Sequence, residues 1–329
     1  MPNLSVILRT YTEARWDSLL AAVRSVREQS CPPDEIVVVV DHNPALYARV
    51  RAALPGVVAV ENREPAGSSG AWNSGILAAT GDILAFMDDD ATAAPDWLEQ
   101  LRLGYRDPQV LGVGGEIVPV WVDGRPAWFP DEFAWVVGCT YRGLSETESN
   151  VRNLIGCNMS FRREVFAAAG GFRGAQNGIG HMGAAPIGCD ETEFCIRVRR
   201  QWPDKFMRYR PQARVYHRVP AGRANWRYFR TRCYFEGRSK ARVAQLVGPQ
   251  DGLESERAYT LRTLPRGVLQ GIGDFALRRD AAGLGRATAI VAGLACTAAG
   301  YLAGTLTARP APRPRDATAA HGVAGEQRA

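Results

Sequence analysis

Strand-like and helix-like segments alternate along the first 90 residues, and this alternation constrains the fold more than any other feature of the chain. Continuous apolar runs such as EIVVVVD (35–41) and DILAFMD (82–88) are typical of parallel strands that are buried on both faces. The remaining strand and helix patterns of the series lie at 4–10, 14–29, 45–54, 57–62 and 68–80. The sequence therefore predicts an α/β fold with a doubly wound, mainly parallel sheet.

Acidic residues follow two of these strands at the point where each strand ends. Asp41 follows the second strand, and Asp88, Asp89 and Asp90 follow the fourth. Ligands of doubly wound sheets bind beyond the carboxyl ends of the strands, and three adjacent carboxylates need a counter-charge. A solvated loop is disfavoured because the apolar run ILAFM leads into it, and a calcium loop is disfavoured because the alternating oxygen ligands are absent. A Mg²⁺ or Mn²⁺ site at the mouth of a nucleotide-binding sheet is favoured.

The middle of the chain has a less regular pattern. The stretch from about 110 to 160 is rich in Trp, Gly and Pro, as expected of an antiparallel edge and substrate-facing loops. Residues 206–219 are predicted to form a strand or a hairpin. Helices are predicted at 162–170, 190–202 and 225–246.

The C-terminal part of the chain differs in kind. Residues 264–279 mix apolar residues with arginines, as expected of a helix that lies along a surface. Residues 287–308 carry no charge and are numerous enough to span a bilayer, and Gly300 and Gly304 form a GxxxG pattern that allows close helix contact in lipid. The alternative is a helix packed on the protein's own surface. The Pro/Arg/Ala-rich tail from Pro310 is predicted to be disordered.

Composition argues against several classes of protein. The basic charge is almost all arginine, in no dense block interleaved with aromatics, so no nucleic-acid partner is expected. The seven cysteines are odd in number and form no CxxC pair, which favours a reduced compartment over a disulfide framework or a zinc site. No basic segment precedes the apolar run at Leu4, so we predict no signal peptide and a cytosolic catalytic part.

Five motifs, taken in their order and spacing, resemble the family 2 glycosyltransferases of GT-A fold. They are Asp41 after the second strand, AGSSGAWNSGI (66–76), MDDDATAAPDW (87–97), GCNMSFRREVF (156–166) and CDETEFCIRVRR (189–200). The resemblance implies an inverting, metal-dependent transferase that uses a nucleoside diphosphate sugar, usually UDP-linked. It divides the chain into a nucleotide-sugar-binding half (1–120), a half for the acceptor and the catalytic base (121–250), amphipathic and candidate transmembrane helices (251–309) and a disordered tail (310–329).

The resemblance also implies which residues bind the donor. Asp41 is expected to pair with the base ring, while Asp88 and Asp89 lie against the ribose and the diphosphate. The expected nucleotide-binding set is Thr10, Glu13, Asp41, Asn73, Asp88 and Asp89. Many members carry an arginine for the diphosphate just after the glycine-rich turn, and this chain has Trp72 there. Arg9, Arg63 and Arg223 are the alternatives that the sequence leaves open.

Metal and acceptor roles follow from the same resemblance. Asp90 is the expected ligand of a divalent cation, Mg²⁺ or Mn²⁺, and His217 is expected to approach the metal or the diphosphate. Trp135, Asn158 and Met159 are expected to border the acceptor. The QxxRW motif of processive members is missing, so a polymer synthase is disfavoured.

An inverting transfer also needs a general base that stands apart from the metal carboxylates. Asp190 and Glu191 meet this condition because they begin another predicted helix, and the resemblance favours Glu191 over Asp190. The helix dipole is expected to keep a carboxylate ionised there. Capping of the helix by Asp190 is the alternative.

A closer likeness concerns the middle and the end of the chain. Its segments FPDEFAWVVGCTYRG (129–143), VRNLIGCNMSF (151–161), ARVYHRV (213–219) and YFEGRSKARV (234–243) look like those of glucosyl-dolichyl-phosphate glucuronosyltransferases. That likeness implies a UDP-glucuronate donor, a polyisoprenyl-phosphate-linked sugar as acceptor, and attachment to the cytoplasmic face of the membrane. Two alternatives stay open: transfer of another hexose or rhamnose to a different envelope or small-molecule acceptor, and a non-catalytic, sugar-nucleotide-binding membrane subunit. The arginines offered for a uronate carboxylate are Arg142, Arg152, Arg162 and Arg163.

Overall fold

The computed structural model describes residues 2–174, 177–180, 187–248 and 254–307. The strands are β1 (Leu4–Thr10), β2 (Glu35–Val40), β3 (Val58–Glu61), β4 (Ile83–Asp88), β5 (Ala91–Ala93), β6 (Val110–Gly114), β7 (Ile117–Trp121), β8 (Ser149–Val151), β9 (Met159–Arg162), β10 (Phe206–Tyr209) and β11 (Val215–Val219). The α-helices are α1 (Trp16–Arg27), α2 (Pro44–Ala53), α3 (Ser68–Ala78), α4 (Trp97–Gly104), α5 (Arg163–Ala169), α6 (Asp190–Gln201), α7 (Trp226–Val247), α8 (Glu254–Ala258), α9 (Leu264–Arg278) and α10 (Ala281–Leu306). The predicted tail from Pro310 lies outside the described residues.

Eight strands of the described part form one sheet in the order β3-β2-β1-β4-β9-β6-β10-β8. The first four strands pair in parallel, and so do β6 and β10. Strand β9 is antiparallel to both of its neighbours, and β8 is antiparallel at the edge. This mixed, mainly parallel sheet agrees with the predicted α/β architecture.

Two separate cores show that the sheet is covered on both faces. Along β1, Val6 and Leu8 belong to a core that includes Leu19 of α1. Ile7, which points to the other face, belongs to a core that includes Trp72 of α3. Because successive side chains of a strand point to opposite faces, Val6, Ile7 and Leu8 are all apolar and all buried. The sheet is therefore doubly wound, as predicted.

Strand register brings the acidic residues to one edge of the sheet. Thr10 pairs with Val40, so that Asp41 follows at the end of β1, and Arg9 pairs with Asp88 at the end of β4. A second, three-stranded sheet of order β5-β11-β7 lies just beyond this edge. In it His217 pairs with Ala91, the residue that follows Asp90, so the register itself brings the imidazole to the aspartates.

The middle of the chain agrees with the sequence prediction in part, since β8 is an antiparallel edge strand and residues 206–219 contain the strands β10 and β11. The segment predicted as an antiparallel edge contributes β9 to the interior of the sheet, where Met159 and Phe161 are fully buried between β4 and β6. Residues 206–219 form no hairpin, because a turn closed by the bond from Ala213 N–H to the Arg210 carbonyl sends β11 into the second sheet. Short apolar strands do not reveal their partners in the sequence, which is why the interior position of β9 and the separation of β10 from β11 were not predicted.

Helix α10 packs along α7 and α9. A Cβ atom on Gly300 would lie 1.9 Å from the Tyr234 carbonyl oxygen, and one on Gly237 would lie 1.9 Å from the Thr297 carbonyl oxygen. The two helices therefore approach each other through glycines on both sides. The GxxxG residues of α10, Gly300 and Gly304, contact α7 of the same chain. Among the described helices, α10 alone is long and apolar enough for a membrane span by length and composition.

Candidate active site

A cavity of about 1370 Å³ opens at the carboxyl ends of β1, β2 and β4. The parallel half of the sheet supplies Thr10, Asp41 and the three aspartates at 88–90 to its wall. The later half of the chain supplies the start of α6, the aromatic segment at 133–141 and parts of α7, α8 and α10. Cavities at this edge of a parallel sheet are the usual ligand sites of the architecture.

Asp41 is held at one end of the cavity by three groups. The N–H of Gly67 donates to Oδ2 at 2.9 Å, the Asn62 amide donates to Oδ1 at 2.6 Å, and His42 Nδ1 lies 2.7 Å from Oδ1. Gly67 has φ of 126°, a backbone conformation that only glycine adopts readily, and this conformation directs its N–H toward Asp41. The carboxylate is thus fixed in orientation and lines the cavity next to Thr10.

Arginines neutralise the aspartates at 88–90. Arg9 Nε donates to Asp88 Oδ1 at 2.9 Å, and Arg15 Nη1 lies 2.8 Å from Asp89 and 3.2 Å from Asp90. Burial raises the pKa of Asp89, although Arg15 partly offsets this effect. For Asp90, burial acts in the same direction but is outweighed by His217 and Arg15, which hold its pKa well below the ordinary value.

A divalent cation fits the donor atoms at this point. One oxygen of Asp88, the thiol of Cys157 and a ring nitrogen of His217 lie within 4.8 Å of one another. In the described part of the chain, Asp89 Oδ2 is a buried oxygen with no hydrogen-bond partner, and the buried Asp90 Oδ1 is paired with His217. Buried carboxylate oxygens of this kind are costly unless a cation or a donor completes them. The set of carboxylates and imidazole suits Mn²⁺ or Mg²⁺.

His217 is buried beside Asp90. Its Nε2 lies 3.3 Å from Asp90 Oδ1, and its Nδ1 lies 3.7 Å from Cys139 Sγ. Burial alone lowers the pKa of His217, but the carboxylate of Asp90 reverses the effect and raises it to about 10. The structure thus brings together the two residues that the sequence analysis assigned to the metal.

The two candidate residues for the general base lie on a different wall of the cavity. Asp190 is 6% exposed, and its Oδ2 accepts hydrogen bonds from Ser68 Oγ at 2.8 Å and Ser69 Oγ at 2.7 Å. These serines begin α3, so the N-termini of α3 and α6 meet at Asp190. The cap position of α6 is Cys189, which makes no side-chain cap bond, and Asp190 binds the serines.

Glu191 lines the cavity next to Asp190. Burial and the neighbouring Asp190 together raise the pKa of Glu191 well above its ordinary value. At Glu191, desolvation and like-charge repulsion act against the expected effect of the helix dipole. A carboxylate with a raised pKa is a stronger base, which suits proton abstraction near neutral pH.

The predicted acceptor residues line the cavity but differ in how much side chain they present. Trp135 donates from Nε1 to the Tyr259 hydroxyl at 3.1 Å and forms part of the aromatic wall. Asn158 is 1% exposed, and its amide accepts from Trp97 Nε1 and donates to two backbone carbonyls. Met159 is fully buried in β9. The structure therefore gives Asn158 and Met159 a supporting position in the cavity floor.

Two predicted donor residues lie outside the cavity lining. Glu13 is half-exposed and pairs with Arg49 at 3.5 Å. Asn73 bonds both backbone groups of Phe172, accepting from its N–H at 2.8 Å and donating to its carbonyl at 2.9 Å. Asn73 thus connects α3 to the segment that follows α5.

The four arginines that were candidates for binding a uronate carboxylate lie in different parts of the structure. Arg162 and Arg163 bind backbone carbonyls near the opposite end of the sheet, including those of Val110 and Gly81. Arg142 pairs with Asp131 and Glu132 beside α9. Arg152 is the member of the set that lines the cavity.

Sequence reasoning missed several residues of the site. Arg15, which pairs with two of the aspartates, precedes α1 and belongs to none of the quoted motifs. Ser68 and Ser69 lie within the AGSSGAWNSGI motif, and two hydroxyls at a predicted helix N-terminus were a usable signal for a buried anion. Arg9 was one of three open alternatives, and the structure brings it to Asp88.

Comparison with known proteins identifies the group to which this geometry belongs. The sequence model of glycosyl transferase family 2 matches residues 5–170. The chain is similar to a glucosyl-dolichyl phosphate glucuronosyltransferase of Haloferax volcanii, with 35% identity over 93% of this chain and 97% of that protein.

Solved structures give the same fold at lower identity. A mannosyltransferase from Pyrobaculum calidifontis, solved with GDP-Man and Mn²⁺, superposes with a TM-score of 0.57 at 19% identity, over 92% of this chain and 87% of the other. GalNAc-T7, solved with UDP, GalNAc and Mn²⁺, gives a TM-score of 0.50 at 18% identity, over 79% of this chain and 55% of the other.

Proposed function

Because the chain belongs to the family 2 glycosyltransferases and has their GT-A fold, we propose that it transfers glucuronic acid from UDP-glucuronate to a sugar linked to a polyisoprenyl phosphate. The observation that carries this proposal is the likeness to the Haloferax glucuronosyltransferase over nearly the whole of both chains. One cavity contains the aspartates at the sheet edge, the candidate general-base residues and parts of the apolar C-terminal helices, and this arrangement supports the proposal. In this proposal residues 1–120 bind the nucleotide sugar and residues 121–250 bind the acceptor.

The donor nucleotide occupies the cavity end at β1, β2 and β4. Asp41 faces the nucleobase of the donor, because Gly67 and Asn62 fix the orientation of its carboxylate. Asp88 and Asp89 lie toward the ribose and the diphosphate. Arg9 and Arg15 are the guanidinium groups nearest these carboxylates, so they are the cations best placed to receive diphosphate oxygens.

Asp90, with His217 and Asp88, would hold the divalent cation. The buried Asp89 oxygen without a hydrogen-bond partner and the contact between Asp90 and His217 support this assignment. A bound Mn²⁺ or Mg²⁺ supplies positive charge that stabilises the departing UDP without a proton donor. The protein itself keeps the site dry, because Asp90 and His217 are 8% and 3% exposed.

Glu191 acts as the general base of an inverting transfer. Its raised pKa makes it a proton acceptor of suitable strength, and its carboxylate stands on α6, apart from the aspartates of β4. Asp190 is a positioning residue, because Ser68 and Ser69 fix it and its charge strengthens the basicity of Glu191. The acceptor hydroxyl loses its proton to Glu191 as its oxygen attacks the anomeric carbon, and UDP leaves from the opposite face.

Membrane attachment is the last component of the proposal. Leu269, Ile272 and Phe275 of α9 are exposed, and so are Val291 and Leu302 of α10. Together these five define the apolar face of the C-terminal helices. Exposed apolar residues on neighbouring helices are typical of a surface that enters the lipid interface. We place this face on the cytoplasmic side of the membrane, where nucleotide sugars are available.

Product analysis tests the proposal. Membranes that contain the protein are incubated with a panel of UDP-sugars, and extracted glycolipids are identified by mass spectrometry. A glucuronosyl lipid formed with the wild type and absent with Glu191→Gln supports the proposal. A product that carries another hexose or rhamnose would assign the chain to the alternative substrate class, and the absence of any product with intact UDP binding would favour the non-catalytic alternative.

A further inference from the structure

Five charged side chains form a continuous cluster on the cavity wall. Arg232 Nη1 lies 2.9 Å from Glu236 Oε2, and Lys240 Nζ lies 3.4 Å from Glu236 Oε1 and 2.6 Å from Glu256 Oε1. Glu256 in turn receives both terminal nitrogens of Arg152, at 2.9 and 3.1 Å. These residues, the five-charge cluster, alternate in sign, and all of them line the cavity.

The cluster is built by helix geometry. Arg232, Glu236 and Lys240 follow one another at intervals of four along α7, so they lie on one face of that helix. Arg152 comes from the end of β8 and Glu256 from α8. Their side chains are between 6% and 20% exposed. A largely buried ion network is weak evidence for stability, because apolar side chains of similar volume often serve as well.

Both carboxylates of the cluster are charged near neutral pH. Burial raises the pKa of Glu256, but Lys240 and Arg152 outweigh it and lower the pKa to about 2. Arg232 and Lys240 likewise hold the pKa of Glu236 below its ordinary value against the effect of burial. Three cations therefore stand against two carboxylates, which leaves these five side chains with one net positive charge.

The cluster lies next to the proposed base. The thiol of Cys189 donates to Glu236 Oε1 at 3.4 Å, and Cys189 is the residue immediately before Asp190 and Glu191. Glu236 also contributes to the raised pKa of Glu191. The cluster and the proposed base therefore belong to neighbouring parts of the same cavity lining.

On its other side, the cluster adjoins the apolar C-terminal helices. Leu261, Leu294 and Leu302 line the same cavity, and they are 75%, 38% and 61% exposed. Leu302 belongs to the apolar face defined above. The cavity therefore connects the base, the five-charge cluster and the apolar face along one continuous wall.

We propose that the five-charge cluster binds the phosphodiester of the lipid-linked acceptor, with the sugar directed toward Glu191 and the lipid chain directed along Leu294 and Leu302. A phosphodiester carries one negative charge, which matches the net charge of the cluster, and guanidinium and ammonium groups are its usual partners. The inference rests on the proposed function, because it assigns the acceptor phosphate of that reaction to residues outside the five motifs of the family 2 glycosyltransferases. In this inference the cluster binds the phosphate of the acceptor and does not bind the carboxylate of the donor sugar.

The experiment compares two acceptors in detergent solution. One is phytanyl phosphoglucose, which carries the phosphodiester, and the other is octyl glucoside, which lacks it. Arg232→Gln and Lys240→Gln are expected to lower the ratio of kcat/KM for the phosphorylated over the neutral acceptor by about 10- to 100-fold, the usual effect of losing a charge-assisted hydrogen bond. Arg230→Gln is the matched control, since Arg230 is an exposed arginine of the same helix outside the cavity lining. It is expected to leave the ratio unchanged.

A variant that is expected to raise the ratio of kcat/KM distinguishes an effect on phosphate binding from misfolding. Glu256→Gln removes a negative charge from the cluster and is expected to raise the same ratio, which a damaged protein cannot do. UDP binding, measured by calorimetry, reports whether each variant is folded.

Several results would overturn the inference. It fails if Lys240→Gln and Arg230→Gln have the same ratio as the wild type, or if Glu256→Gln lowers it. A loss that appears only with UDP-glucuronate and not with UDP-glucose would assign the cluster to the donor carboxylate and overturn the inference as well. If the wild type uses neither acceptor with any UDP-sugar, the proposed function itself has failed.

Discussion

Replacing Gly300 by alanine tests how closely α10 packs on α7. In an isolated helix this change is favourable by about 1 kcal/mol. In the structure the new Cβ would lie 1.9 Å from the Tyr234 carbonyl oxygen, whereas ordinary contact begins at 3.4 Å. The two helices would have to separate by about 1.5 Å, and overpacking of this kind costs about 1–3 kcal/mol, with backbone contacts at the upper end. We therefore expect Gly300→Ala to destabilise the protein by about 2 kcal/mol after the propensity gain is subtracted.

Thermal unfolding of the purified protein in detergent measures this effect. For a chain of this size the loss corresponds to a fall in Tm of about 3 °C. Gly273→Ala on α9 is the matched control, because a Cβ there meets nothing within 4 Å, and it should raise Tm through helix propensity alone. If Gly300→Ala stabilises the protein as much as Gly273→Ala does, α10 does not pack on α7 as described.

The remaining predictions concern chemistry and attachment. Glu191→Gln should lower kcat by about 10²- to 10⁴-fold with unchanged UDP affinity. A larger loss of kcat in Asp190→Asn than in Glu191→Gln would identify Asp190 as the general base. Because a base works only when deprotonated, kcat/KM of the wild type should fall as pH decreases through the raised pKa of Glu191, well above the usual range of a glutamate; an acid limb within that range would contradict this. Asp90→Ala should abolish turnover and the dependence of UDP binding on Mn²⁺, whereas full wild-type activity in EDTA would refute metal dependence. Leu269→Ser should weaken flotation with anionic liposomes, while Leu77→Ser, which alters an even more exposed leucine of α3, should not. Equal behaviour of the two variants would exclude α9 as the attachment face.

The parallel half of the fold could be predicted from the sequence because its signals are local. Continuous β-branched runs such as 35–41 identify strands that are buried on both faces. Once these strands are parallel, Asp41 and Asp88 have to meet at one edge, and the structure brings them there. The position of β9 was missed because a four-residue strand carries no information about its partners.

The candidate site was only partly predictable, because much of it depends on contacts between distant segments. Arg15 reaches Asp89 across 74 positions of an arginine-rich chain, and nothing in its neighbourhood marks it. The pKa of Glu191 depends on burial and on Asp190, which a motif does not report. The five-charge cluster joins three segments, and of it only the spacing of Arg232, Glu236 and Lys240 is visible in the sequence.

Donor competition with the purified protein tests the central claim most directly. Equal concentrations of UDP-glucuronate and UDP-glucose are supplied with phytanyl phosphoglucose and Mn²⁺, and the lipid products are separated by mass spectrometry. We predict that the product carries an added glucuronosyl residue in inverted configuration and that the hexosyl product is minor. Transfer of glucose at least as efficient as that of glucuronate would contradict the assigned sugar, and the absence of any transfer to the lipid-linked glucose would contradict the proposed reaction.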